Sequence, residues 1–224
     1  VRKIAGVKRE RFLSEAETAR LLSTLDNLEG IGRLAPVFAD AFRLLLLTGA
    51  RKTEIAALTW DEVDLDRGVI RLRQMRAKNG DKVIVLNGAA LAIIAARPRT
   101  SRFVLPSAAD PSKPIVGLQK PWSRVRASAK LPGLRLHDLR HSFASHAAAD
   151  GASLPMIAKA LGHAHTATTS RYAHLADDAA RRVADGVGRR VANARKRSVT
   201  LSATSATAQP STSAPQYVPQ SRDS

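Results

Sequence analysis

The chain has 224 residues, with 36 Lys and Arg against 19 Asp and Glu, a formal net charge of +17. An excess of that size points to a polyanionic partner, either nucleic acid or an anionic membrane surface, and no apolar run reaches the roughly 18 residues that a spanning helix needs. Cysteine is absent, which excludes disulfides, cysteine-ligated zinc and thiol nucleophiles; covalent catalysis would fall to Ser, Thr, Lys, Tyr, His or a carboxylate.

Taken in order, the chain opens on Val1-Arg2-Lys3-Ile4, without the apolar core of a signal peptide. Ser14-Glu15-Ala16-Glu17 reads as a capping box, opening an amphipathic helix with Leu21, Leu22, Leu25 and Leu28 on its apolar side. Pro36 suits the first turn of a second helix, which runs to a stop at Thr48-Gly49, and a short helix follows from about Thr53. Two strand-like runs, Val69–Arg76 and Lys82–Leu86, flank Asn79-Gly80, a hairpin-turn signal. Helices are then expected over 88–97, 115–130, 138–149, 154–161 and 177–192, with Pro98 and Gly162 as stops. Residues 193–224 are rich in Ser, Thr, Ala, Pro and Gln, show no apolar period and read as a disordered tail. Within that tail Arg195, Lys196, Arg197 and Arg222 face only Asp223, so most of the positive charge belongs to the rest of the chain. The expected class is α+β, mainly helical, with a small antiparallel sheet.

Several polar groups could carry chemistry. Arg51 follows the Gly49 stop and precedes a new helix, where its planar fork can meet a phosphate while Glu54 steadies it; a surface arginine paired with Glu54 is the bland alternative. Lys78 stands just before Asn79-Gly80, at the hairpin tip, with Lys82 as a competitor for any proton-delivering role. His137 and Arg140 are three apart, so a helix would turn them the same way and offer a phosphate a bidentate donor beside a proton-exchanging ring. His163 follows the Gly162 stop. Nine residues later stands Tyr172, one of only two tyrosines; the other, Tyr217, lies in the tail. A buried packing role is the ordinary one for such a ring. All six histidines fall between His137 and His174, and His137 and His141, four apart, could share a metal; no H-E-x-x-H pattern or acidic cluster accompanies them, so neither metal nor cofactor is expected.

In order, T-G-A-R-K-T-E, K-N-G, H-D-L-R-H, L-G-H and R-Y-A-H resemble the tyrosine recombinase, or phage integrase, family over residues 9 to 190. The resemblance implies the catalytic fold of those DNA breaking-rejoining enzymes over 9–192, with residues 1–8 as the remnant of a linker from an upstream DNA-clasping domain. It matches the family's active set to Arg51, Lys78, His137, Arg140, His163 and Tyr172. Tyr172 would attack the phosphodiester, leaving a 3′-phosphotyrosyl bond that a second strand's 5′-hydroxyl reverses, with no metal or ATP. Arg51, Arg140 and His163 would hold the phosphate, His137 is a candidate base and Lys78 a candidate acid. Double-stranded DNA is the implied partner, with a homotetramer on paired sites and accessory DNA-bending proteins. The implied location is a bacterial or phage-infected cytoplasm, at the nucleoid and not on a membrane. A type IB-like topoisomerase and a catalytically inactive DNA-binding relic are the rival readings.

Overall fold

A computed structural model of the chain describes residues 11–73, 81–162 and 169–193, apart from 174, 176–180 and 182. The chain divides into two units, Val1–Ala179 and Ala180–Ser224. Among the described residues of the second, 183–193 form a helix with Val183, Val187 and Val191 exposed.

The first unit is mainly helical. Helix α1 (Glu15–Gly30) starts at the expected capping box: the Glu17 amide donates to Ser14 Oγ at 3.2 Å and the Ser14 amide to Glu17 Oε2 at 3.0 Å. Leu21, Leu25 and Leu28 are buried, one stripe of a 3.6-residue period, and Leu22 packs beside them. Helix α2 (Pro36–Thr48) has Pro36 in its first turn and stops at Gly49, which takes the left-handed conformation (φ 62°). With eight buried residues it is the central helix, packed by α1, α3 (Lys52–Ala56), α4 (Gly88–Ala95) and α6 (Leu136–Ala149). Phe42 of α2 meets Trp122 edge-on at 5.0 Å, which joins α2 to α5 (Gln119–Ser128).

The sheet has three antiparallel strands in the order β1 (Val63–Asp64), β2 (Val69–Leu72), β3 (Lys82–Val85). Ile70 pairs with Ile84 and faces the core, whereas Val83 and Val85 point outward and are exposed. The expected run Val69–Arg76 therefore ends as a strand at Leu72, and residues 74–80, including Lys78, lie outside the described residues. The starts of two helices also differ from expectation. Residues 115–118 are not helical, because the Ile115 amide donates to Leu105 O at 2.9 Å and Gly117 sits at φ 72°. Helix α6 begins at Leu136 rather than 138, which brings His137 into its first turn. Helix α7 (Leu154–Leu161) runs as expected, from a Ser153 side-chain cap to a left-handed Gly162 (φ 66°).

Candidate active site

Three helix ends build the site. At the start of α3, the buried Glu54 accepts from the Arg51 amide at 2.7 Å and from Arg51 Nη1 at 2.9 Å. It also accepts from Lys82 Nζ at 2.7 Å, which reaches in from β3 with only 6% of the residue exposed. Burial alone would raise the Glu54 pKa; the hydrogen bonds from Lys82 and the Arg51 amide outweigh it and hold the carboxyl below its ordinary value. Burial likewise pushes the Lys82 ammonium below its ordinary pKa, against the pull of Glu54. Arg51 is thus steadied by Glu54, as its spacing suggested. Lys82 is fixed in a buried ion pair with its stem against Gly162, where a Cβ would stand 2.8 Å from Lys82 Cδ. That is not the exposed turn lysine that could compete with Lys78.

Arg140 projects from α6 and is buried. Its Nη1 donates to Gly49 O and its Nη2 to Leu161 O, both at 2.7 Å. These carbonyls stand at the C-terminal ends of α2 and α7, where helices leave acceptors unsatisfied, so one guanidinium ties two helix ends together. Arg51 Nη2 reaches the next carbonyl, Gly162 O, at 3.4 Å. The two arginines thus converge on adjacent peptides at the end of α7. Burial first, and then the charge of Arg51, lower the Arg140 pKa to about 10. It stays cationic near neutral pH, and each fork keeps N–H groups beyond the two that these bonds use. Close approach is needed here: a Cβ on Gly49 would fall 2.5 Å from Phe143 Cδ1.

His137 is exposed in the first turn of α6 and shares with Arg140 a cleft of about 380 Å³, also lined by Lys52, Gln119 and Arg135. Arg135 is gripped by Asp138, which accepts from its amide and guanidinium at 2.7 Å, repeating the arrangement of Arg51 and Glu54.

Tyr172 ends a 3-10 turn, Ser170–Tyr172, and is 4% exposed. Its ring packs into a small apolar cluster with Ala144, Ala148, Ile157 and Leu161 of α6 and α7. Its hydroxyl lies 2.6 Å from His141 Nδ1. His141 is one turn along α6 from His137, and the two rings meet edge to face at 4.8 Å. In the sequence His141 stands out only as a possible metal partner of His137; its contact with Tyr172 spans 31 residues and carries no local signal. Arg51, His137, Arg140 and Tyr172 are therefore held by α3, α6 and α7 and the turn that follows. Lys78 and His163 lie outside the described residues. His146 lies on α6 with Nε2 3.2 Å from Thr18 Oγ1.

The phage integrase family model matches residues 11–179. Among curated proteins the chain is 31% identical over 178 residues to the tyrosine recombinase XerD of Pseudomonas putida, covering 74% of this chain and 58% of that one. It is 29% identical over 168 residues to the tyrosine recombinase XerA of Thermococcus kodakarensis, covering 72% and 57%. The chain thus spans between two fifths and three fifths of the length of the curated relatives it matches. Among solved structures it is similar to the catalytic domain of bacteriophage HP1 integrase, with TM-score 0.58 and 26% identity over 75% of this chain and 89% of that one. The fold also matches that of XerH site-specific recombinase bound to palindromic difH substrate, with TM-score 0.62 and 21% identity over 82% and 55%.

Proposed function

Because the chain belongs to the phage integrase family, we propose that it carries the strand-cleaving domain of a site-specific recombinase, acting on double-stranded DNA through Tyr172. The observation that carries this reading is the convergence of Arg51 and Arg140 on the end of α7, with Tyr172 packed against the same helix.

Phosphodiester transfer passes through a pentacoordinate state that gathers negative charge on the non-bridging oxygens. Two preorganised guanidinium forks stabilise that charge without reorganising at the moment of reaction. In this reading His163 is a third donor. His137, facing the cleft beside Arg140, is a proton-exchanging group next to the phosphate, and Lys78 protonates the departing 5′ oxygen. Attack by Tyr172 exchanges one phosphodiester for another, so the energy of the cut is conserved in the 3′-phosphotyrosyl bond until a 5′-hydroxyl reverses it. Exchange between two duplexes needs four such cuts, one tyrosine each, and therefore four copies of the chain on paired sites. Accessory DNA-bending proteins, and work at the bacterial or phage nucleoid, belong to the same reading. Among the described residues no helix is long and apolar enough to cross a membrane.

The test is covalent capture. A duplex with a nick just beyond the cleaved bond lets the short 5′-hydroxyl fragment diffuse away and traps the intermediate, seen as an SDS-resistant band. The wild-type chain is expected to form it, and Tyr172→Phe to lose it while its DNA affinity stays within about twofold, since phosphate contacts dominate binding. Loss of affinity together with cleavage would count against the reading, and relaxation of plasmid lacking any selected site would favour a topoisomerase.

A further inference from the structure

We propose that His141 holds the Tyr172 hydroxyl ready for attack and takes its proton as the bond to phosphorus forms. This rests on the strand-cleaving reading above and adds to it a group that neither motif spacing nor the family's active set supplied.

The geometry is specific. The Nδ1···Oη separation of 2.6 Å is at the short end for such bonds. The tyrosine is buried, its ring held by Ala144, Ala148, Ile157 and Leu161, so bulk water competes poorly for the hydroxyl. The imidazole is held in turn. It lies edge to face with His137 at 87° and tilted by 45° against the tyrosine ring, with 6.4 Å between those centroids. Arg140 is its neighbour on α6, so one helix carries both the phosphate clamp and the ring on the nucleophile.

The chemistry follows from ordinary acidities. Tyrosine ionises near pH ~10 and imidazolium near ~6.5, so transfer in the resting state is uphill and must accompany attack. Arg140 eases it, because a phenolate at Tyr172 and the Arg140 cation favour each other. In the step, the Oη–H bond breaks and its proton passes to His141 Nδ1, while Oη bonds to phosphorus. The bond from phosphorus to the 5′ oxygen breaks with its electron pair on that oxygen, which takes a separate proton from Lys78. Religation runs the same path backward, with His141 returning its proton to Oη.

The experiment uses the full chain and a pool of nicked duplexes of randomised sequence. Strands captured covalently by the wild type are sequenced, and the recovered site is remade with oxygen or with sulfur at the 5′ bridging position. Sulfur leaves without a proton, so the acid becomes dispensable and the base does not. His141→Gln keeps a hydrogen-bonding side chain but cannot take the proton. It is expected to cleave both substrates about 10²- to 10⁴-fold more slowly than the wild type, with DNA binding unchanged. Lys78→Ala is expected to recover on sulfur only, and added imidazole to restore rate to His141→Gly. Wild-type rates from His141→Gln on the sulfur substrate overturn the proposal alone. Failure of the wild type to capture any strand overturns the strand-cleaving reading and the proposal together. Should His141→Gln not fold, nitrogen resonances of ¹⁵N-histidine in the wild type and in Tyr172→Phe decide. A displaced His141 Nδ1 signal supports the contact, and an unmoved one overturns it.

Discussion

Glu54 joins two cationic side chains at the site, Arg51 and Lys82. Its carboxylate accepts from the Arg51 amide, the Arg51 guanidinium and the Lys82 ammonium, all within 2.9 Å. Because its folded pKa lies below the ordinary value of 4.5, the unfolded chain binds the proton first on acidification. The stabilisation is fully present above that ordinary value and is lost as pH falls through the folded one. A thermal melt series from about pH 7 to about pH 3 should therefore show a fall in midpoint over that window, and Glu54→Gln should flatten it. Removing the other partner tests the pair directly. Lys82→Met takes the ammonium from a buried carboxylate that Arg51 also holds and is expected to cost about 3–5 kcal/mol in denaturant unfolding. A cost near zero would show that Lys82 does not hold Glu54. The pairing of Glu54 with Arg51 was legible because three residues separate them on a helix start. Lys82 was not legible: in the run Lys82-Val83-Ile84-Val85 the apolar residues are continuous, so nothing local says which face turns inward. The fold buries Lys82 and Ile84 and exposes Val83 and Val85. His141 was hidden for a related reason, since its partner arrives from 31 residues away and its neighbour His137, four back, suggested a metal instead.

Helix ends are what the chain uses to aim its side chains. Gly49 and Gly162 stop α2 and α7 in the left-handed conformation, and their terminal peptides receive Arg140 and Arg51. Gly49→Ala meets both obstacles at once, a φ of 62° and a Cβ 2.5 Å from Phe143 Cδ1. A loss of about 2–4 kcal/mol is expected, from left-handed strain and overpacking combined. Unfolding of the two proteins in urea checks this, and equal stability would mean that the α2 end can shift without cost. Such stops and the Ser14 capping box are local chemistry, which is why the start of α1 and both ends of α2 and α7 were readable. Strand β1 was not, because two residues become a strand only by pairing with Val69 and Ile70. Nor was the start of α5, since Ile115 is drawn into a hydrogen bond with Leu105 that no short window of sequence contains.

At the scale of the whole molecule, charge and fold are both compatible with the proposed function. A net charge of +17 suits a polyanionic partner, and on the proposed function affinity for DNA should fall steeply with salt, log K changing by about −0.9 per phosphate contacted for each unit of log salt. That slope should be the same for the wild type and Tyr172→Phe, because in the proposed reaction the tyrosine acts after binding. The proposed role of Tyr172 as nucleophile is open to one direct measurement. The chain holds two tyrosines, Tyr172 and Tyr217. Trypsin cleaves after Arg171, so digestion of the captured adduct followed by mass spectrometry should find the nucleotide remnant on the peptide that begins at Tyr172. A remnant on the peptide containing Tyr217, or on any serine or histidine, would contradict the assignment.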